Sequence, residues 1–178
     1  MLPIYEVECG DLTAISLVRK PAIEEDFMLF KEQKELKLSF DDEKHIVFGP
    51  AIIADKPIYR VDGEGREYYV VFTAEVIEKL FTDFMKKGGY FNLEHSKKTN
   101  DVFLIESFIK RPGLNPVGFE EVSDGSWFIS LKVENEALWA DLKAGKYNGF
   151  SIECFVDLEK KDDINELINE LLKWQKIF

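Results

Sequence analysis

Short runs of β-prone residues, most of them alternating between apolar and polar positions, recur along the chain. They occupy residues 3–8, 13–18, 45–54, 57–61, 67–72, 90–94, 101–110, 126–134 and 149–157. A period of two is typical of strands that bury one face, and continuous apolar runs of this length are compatible with buried strands. The pattern therefore predicts a protein built mainly of β-strands.

Turn signals separate these runs. Gly10 and Asp11 predict a turn between the first two, and the pair 49–50 (Gly-Pro) predicts a break within 45–54. Residues 62–65 (Asp-Gly-Glu-Gly) predict a hairpin, because glycine tolerates the positive φ that tight turns require. Turns at this spacing are typical of barrels and sandwiches. We therefore predict an α+β fold, mainly β, in which an antiparallel β-barrel is surrounded by a few helices.

Residues 74–87 show the different period of an amphipathic helix. Thr73 is a suitable N-cap, and Gly88 and Gly89 predict the end of the helix. We expect the helix to be structural and to pack its apolar face on the sheet. That face contains Val76, Ile77, Leu80, Phe81, Phe84 and Met85.

Two further helices are predicted towards the end of the sequence. Asn135 opens the first, over residues 136–143. Asp163 and Glu166 have the spacing of a capping pair, which predicts a C-terminal helix at about 163–176.

The segment 24–44 is the hardest to assign, because charged residues there alternate with isolated apolar ones. It is compatible with an exposed connection or a short helix. The sequence has no internal repeat and no Gly-, Ser- or Pro-rich linker. We therefore predict a single domain over residues 1–178.

Charge and cysteine content exclude several classes of protein. The formal charge is −11 at pH 7, and an acidic surface repels phosphate backbones, so direct binding to nucleic acid is disfavoured. Cys9 and Cys154 lack the spacing of a disulfide framework or a zinc site. The sequence shows no signal peptide and no apolar run near the roughly 20 residues that span a bilayer. We expect a soluble protein of a reducing cytoplasm.

The two histidines differ in their setting. His45 follows a charged run, and we expect it to be structural or solvated. His95 ends the apolar run 90–94 and precedes a polar loop, a position where a rigid strand meets solvent and where catalytic residues are common. A strand-end histidine with a structural hydrogen bond is the alternative interpretation.

Ser151 is the candidate nucleophile. Phe150 and Ile152 flank it in a predicted strand, so its hydroxyl should point to the face opposite these bulky side chains. A serine hydroxyl becomes a good nucleophile only when a base takes its proton and a third group orients that base. A small polar residue on the outer face of a strand is the alternative.

Several short motifs occur together in a fixed order. They are GPAII with DKPIYR (49–60), NLEH (92–95), IES (105–107), GSW (125–127) and KYNGFSIE (146–153). Together they resemble the XkdF-like family of phage prohead serine proteases, which is related to the herpesvirus assemblin-type proteases. The stretches 14–18 and 21–23 are also similar to the beginning of many members, so that the resemblance extends over nearly the whole chain.

The resemblance implies an assemblin-like barrel and a serine endopeptidase of capsid maturation. The NLEH motif gives His95 as the base, and GFSIE gives Ser151 as the nucleophile. The implied substrates are segments of the scaffold and the major capsid protein, cleaved within the assembling prohead in the host cytoplasm. No cofactor, nucleic acid or membrane is implied, and a homodimer is left open.

A carboxylate is expected as the third member of the site. Glu106 is the first candidate, because a charge inside the apolar run 101–110 is costly unless it is paired. Glu94, Asp157 and Glu153 are the alternatives. Glu153 lies two residues after Ser151, which returns its side chain to the same face of a strand.

Two other functions are compatible with parts of this pattern. A non-catalytic structural or assembly protein could keep the barrel and lose hydrolysis. A metal site made of His95, Glu94 and Glu106 is disfavoured, because the sequence lacks an HExxH-type spacing.

Overall fold

The structure is a computed structural model. It describes residues 2–19, 39–41, 44–88, 90–94 and 97–160. The predicted C-terminal helix, most of the 24–44 segment and His95 lie outside these residues.

The larger sheet is built around one long strand. Its members are β1 (Ile4–Val18), β4 (Ile58–Val61), β5 (Glu67–Val71), β6 (Tyr90–Leu93), β7 (Lys97–Lys98) and β10 (Gly149–Lys160). β10 pairs antiparallel with β1 along most of its length, and β5 and β6 run parallel to the two ends of β1. Because a strand has only two edges, β5 and β6 share the edge opposite β10. β4 and β7 extend the sheet by antiparallel pairing with β5 and β6.

The turn predicted at Gly10 and Asp11 is wrong, because β1 is continuous. Both residues pair with β10, so the ladder passes through them. Register shifts on either side of the pair take up the irregularity as β-bulges. The shift between Leu12 and Ala14 lets both Leu12 and Ile15 reach the core, although they are three residues apart.

The smaller sheet is antiparallel and has four strands in the order β2, β3, β9, β8. β3 continues through Gly49 and Pro50, so the predicted break is wrong. Proline is tolerated there because the register shifts directly after it and because β2 pairs with β3 only as far as Phe48. The strands are β2 (Ser39–Asp41), β3 (Ile46–Ile52), β8 (Val102–Ile109) and β9 (Trp127–Val133).

The predicted hairpin is confirmed. β4 and β5 pair from Ile58 with Val70 to Val61 with Glu67. Gly65, in the connecting loop, has a φ of 79°, the left-handed conformation that favours glycine.

The amphipathic helix is also confirmed, as α1 (Ala74–Lys87). The Thr73 hydroxyl accepts a hydrogen bond from the backbone N–H of Val76 at 3.3 Å, and Gly88 ends the helix with a φ of 63°. Of the predicted apolar face, Phe81 is half-buried and Met85 is 47% exposed. The other four residues are buried: Val76, Ile77, Leu80 and Phe84.

The two sheets share one apolar core. α1 packs against it, and the ring of Phe84 lies 6.0 Å from that of Phe91 in the larger sheet and 5.4 Å from that of Trp127 in the smaller. The second helix, α2 (Glu136–Lys143), is capped by Asn135 as predicted and adds three buried residues. Core residues include Ile15, Leu17, Phe91 and Phe150 from the larger sheet, Val47, Trp127, Ile129 and Leu131 from the smaller, and Leu138, Trp139 and Leu142 from α2.

The predicted α+β class with mainly β structure is confirmed, whereas the predicted barrel is not. Within the described residues neither sheet closes on itself. β3 approaches β10 without pairing to it, and the larger sheet is mixed because of its parallel pairs. Neither described helix has the length and hydropathy needed to cross a bilayer.

Candidate active site

Three polar residues stand side by side across the larger sheet. Ser16, on the central strand β1, pairs with Asn92 of β6 on one edge and with Ser151 of β10 on the other. Residues in register on neighbouring strands project from the same face of a sheet. Asn92, Ser16 and Ser151 therefore form one row, which we call the polar row.

The polar row points away from the apolar core. Its immediate neighbours on the strands, among them Ile15, Leu17, Phe91 and Phe150, are buried in that core. Ile152, beyond Ser151, packs against the same core. This alternation agrees with the face predicted for Ser151, whose side chain is half-buried.

Glu153 joins the polar row from the same face of β10. Its Oε1 accepts a hydrogen bond from the Nδ2 amide of Asn92 and lies 2.9 Å from the Oγ of Ser16. The same hydroxyl lies within hydrogen-bond distance of Asn92 Oδ1. Since a hydroxyl carries one proton, it donates to one of these two oxygens at a time. The three side chains form a connected network.

The exposure of the network falls from its carboxylate to its centre. Glu153 is half-buried, Asn92 is 4% exposed and Ser16 is fully buried. A polar group buried this deeply is costly unless it is hydrogen-bonded. The mutual hydrogen bonds satisfy that requirement.

Hydrogen bonds anchor the chain at the end of β6, directly before His95. The backbone N–H of Glu94 donates to the carbonyl of Leu17 at 3.0 Å, and its carboxylate accepts from the backbone N–H of Arg19 at 2.7 Å. Glu94 has a φ of 50°, which turns the chain out of the strand. His95 itself lies outside the described residues.

The start of β10 is anchored at the same end of β1. The backbone N–H of Asn148 donates to the carbonyl of Val18 at 2.9 Å, and its side-chain amide donates to the carbonyl of Arg19 at 3.1 Å. The chain segments that lead to His95 and to Ser151 therefore converge on one end of β1.

Glu106 is placed elsewhere. It lies on β8 at the edge of the smaller sheet, is exposed, and accepts a hydrogen bond of 2.5 Å from the hydroxyl of Ser130 on β9. Ser130 alternates with the core residues Ile129 and Leu131, so Glu106 also points away from the shared core. The structure does not bring Glu106 to Ser151, and a contact between Glu106 and His95 stays a prediction.

The remaining candidates are also separated from the polar row. Asp157 lies further along β10 and is exposed. His45 stacks on Trp139 with 4.8 Å between ring centroids, and its Nδ1 lies 3.9 Å from Glu136, which agrees with a structural role. In the described part of the chain, no three His, Cys, Asp or Glu residues are grouped so as to hold a metal ion.

Residues 33–160 match a family model whose description is "Putative phage serine protease XkdF". They make up well over half of the 178 residues. The chain belongs to this family. A search of curated proteins and a search of solved structures each gave no match.

Of the four residues that make up the polar row together with Glu153, the XkdF family match includes three, but it does not include the central strand β1. Ser151, Asn92 and Glu153 fall within residues 33–160, whereas Ser16 precedes them. The resemblance read from the sequence extended to residues 14–18, which the family model does not cover. In the structure, however, β1 is the strand that holds β6 and β10 together.

The sequence analysis missed Ser16 and Asn92. Ser16 is the one polar residue in the apolar run Ala14–Val18, and a lone polar residue in a buried strand is a signal for a hydrogen-bonded role. Asn92 lies within the NLEH motif, three residues before His95. Neither signal shows which distant residue is the partner, because local sequence does not determine the register in which two strands pair.

Proposed function

We propose that this member of the XkdF family is a serine endopeptidase in which Ser151 is the nucleophile and His95 the general base. The polar row is the observation that carries the proposal. It sets Ser151 on the polar face of β10, two residues from a carboxylate on the same face and one strand away from β6, which leads to His95. Family membership supports the same activity.

The chain positions are compatible with contact between the two residues. His95 follows Asn92 by three residues, and three residues reach at most about 10 Å. Asn92 is separated from Ser151 by a single strand, so the two lie about 9.6 Å apart across the sheet. An imidazole on a short connection can therefore reach the serine hydroxyl.

In the proposed reaction His95 takes the proton of Ser151 while the serine oxygen attacks the peptide carbonyl carbon. The C–N bond then breaks, and the histidine gives the proton to the leaving amine. Water, activated by the same base, releases the acyl group and restores the serine. In this scheme His95 accepts and donates the proton in each step.

The substrates that we propose are extended segments of the scaffold and the major capsid protein. Cleavage would take place in the host cytoplasm, within the assembling prohead, and would prepare the shell for maturation. We also propose that the protein is related to the assemblin-type proteases. The active form is either a monomer or a homodimer, and measuring the molecular mass during turnover would distinguish the two.

Co-expression with the capsid and scaffold proteins of the same phage tests the proposal. We expect their size to decrease in the presence of the wild-type chain and to stay unchanged with Ser151→Ala or His95→Ala. Cleavage that persists in Ser151→Ala would exclude this serine as the nucleophile.

A non-catalytic assembly protein is the second candidate, because the polar network also satisfies buried groups and so stabilises the sheet. Reaction with a fluorophosphonate, which modifies activated serines, separates the two functions. If the protein is a protease, we expect labelling that requires both Ser151 and His95. If it is a non-catalytic assembly protein, we expect no labelling.

A further inference from the structure

Two side chains hold the Glu153 carboxylate, and a catalytic pair made of a serine and a histidine alone would not require them. Asn92 and Ser16 both lie within hydrogen-bond distance of its Oε1, and both are buried. We propose that Asn92 and Ser16 are positioning residues that hold the Glu153 carboxylate next to Ser151, where it orients His95. This inference rests on the proposed protease function and assigns its third member.

The pairing of β1 with β10 gives Ser151 and the Glu153 carboxylate a suitable separation. Glu153 Oε1 lies 2.9 Å from the Oγ of Ser16, and Ser16 is paired directly opposite Ser151. Side chains paired in this way have Cβ atoms about 5 Å apart. An imidazole that joins a hydroxyl to a carboxylate by two hydrogen bonds of about 2.8 Å each spans a comparable distance, so this placement is compatible with one histidine side chain between them.

The hydrogen bonds also fix the orientation of the carboxylate. Both donors lie next to the same oxygen, Oε1, which restricts rotation of the group and sets the direction of Oε2. The donors belong to the neighbouring strands β6 and β1 rather than to loops. Groups carried by packed strands keep their geometry better than groups on loops.

Stability alone does not require these polar residues. Ala14 and Val18 flank Ser16 on the same face of β1, and both are buried and apolar. Apolar residues at positions 16, 92 and 153 together would therefore match these neighbours and avoid the cost of desolvating polar groups. The polar network is better explained by the carboxylate that it holds.

The rate of fluorophosphonate labelling, measured against pH on the full chain, tests the inference. Glu153→Gln should lower the rate by about 10²- to 10⁴-fold. It should also move the inflection of the pH profile to lower pH, because the imidazolium loses its counter-charge. Wild type and Ser151→Ala are the positive and negative references.

Asn92→Ala and Ser16→Ala should each lower the labelling rate by about 10- to 100-fold, because small displacements of a positioned group are costly. Their inflections should move in the direction seen for Glu153→Gln. Combined with Glu153→Gln, each should add little, since residues that act through one another are not additive. Ser16→Ala removes one oxygen only and decides the question if Asn92→Ala does not fold.

Ser130→Ala is the matched control, because it removes a buried hydroxyl that donates a hydrogen bond to a carboxylate, Glu106, in the other sheet. It should leave the rate and the inflection unchanged. If Asn92→Ala and Ser16→Ala lower only the melting temperature, with the inflection of wild type, the network is structural and the inference is overturned.

Two failures can be told apart. Absence of Ser151-dependent labelling in the wild type overturns the protease function, and the inference falls with it. Wild-type labelling that Glu153→Gln does not change overturns the inference alone.

Discussion

The two sheets each contain a serine that lies within hydrogen-bond distance of a glutamate on the neighbouring strand. In the larger sheet Ser16 lies 2.9 Å from Glu153, and in the smaller sheet Ser130 lies 2.5 Å from Glu106. Both serines are buried, and both pairs point away from the shared core. By residue type the two pairs are equivalent.

Their surroundings are not equivalent. Glu153 is half-buried, is also bonded to Asn92, and shares a strand face with Ser151. Glu106 is exposed on an edge strand, directly after a register shift. A carboxylate that accepts hydrogen bonds from two strands can orient another group. A carboxylate that is exposed to water and accepts one hydrogen bond is free to adopt several rotamers. The chemistry of a site thus depends on register and on neighbours more than on residue type.

The largest expected effect separates the two glutamates by activity. Glu153→Gln should slow labelling of Ser151 by up to about 10⁴-fold, because the charge that stabilises the imidazolium is lost. Glu106→Gln should leave the rate close to that of wild type. Fluorophosphonate labelling of the folded variants measures both.

The opposite result would return the third role to Glu106. Labelling lost in Glu106→Gln and kept in Glu153→Gln would mean that His95 reaches around to the smaller sheet. Full activity in both variants would reduce the site to a serine–histidine pair.

The next largest effect tests whether the sheets that carry the two serine–glutamate pairs share one core. Phe84→Ala removes a fully buried ring that contacts both sheets, and should cost about 3–5 kcal/mol of unfolding free energy. Amide protection should fall in β6 and in β9 together. Urea unfolding and hydrogen exchange provide the measurements.

Phe81→Ala is the companion variant. Phe81 is half-buried, and among the described residues its ring contact is with Trp127, at 5.6 Å. We expect a smaller loss of stability than for Phe84→Ala. Protection that falls in one sheet only, after loss of Phe84, would show that the sheets unfold separately.

Local signals predicted the elements well. α1 and its caps follow from Thr73, Gly88 and the spacing of the apolar residues between them, all of which act within one turn or one helix face. The turn at Gly10 failed for the opposite reason. A Gly-Asp pair turns the chain only where no partner continues the ladder, and here β10, far away in sequence, pairs straight through it.

The site could be predicted in part. The outward face of Ser151 followed from its neighbours Phe150 and Ile152, because alternation is local. Ser16 could not be connected with Ser151, since the parallel and antiparallel pairing of β1 is set by packing of the whole sheet. Glu106 drew attention by its apolar sequence context, yet a bulge at the sheet edge exposes it.

A moderate effect separates the two serines by stability. Ser16→Ala removes the buried hydroxyl that lies within hydrogen-bond distance of both Asn92 Oδ1 and Glu153 Oε1, which should cost about 1–3 kcal/mol. Ser130→Ala should cost less, about 0.5–1.5 kcal/mol, because water can replace the hydroxyl at the exposed Glu106. Urea unfolding of the two variants, measured side by side, gives the difference. Equal losses would mean that the larger sheet does not depend on its polar network.

The smallest effect concerns a third carboxylate, at the surface of the β4–β5 hairpin, which shows what hydrogen bonds contribute where water is plentiful. The pKa of Asp62 lies below its usual value, chiefly because the backbone N–H of Arg66 donates to it at 2.9 Å, and next because the Arg66 guanidinium donates at 2.7 Å. A carboxyl whose pKa is lowered by folding stabilises the protein above its unfolded pKa, and this contribution disappears as the pH falls through the lower, folded value. Asp62→Asn should therefore cause a slight loss of stability at pH 7 that vanishes in acid, as measured by urea unfolding at both pH values. A loss as large as that of Ser16→Ala would contradict the view that burial, rather than the number of hydrogen bonds, sets the importance of these carboxylates.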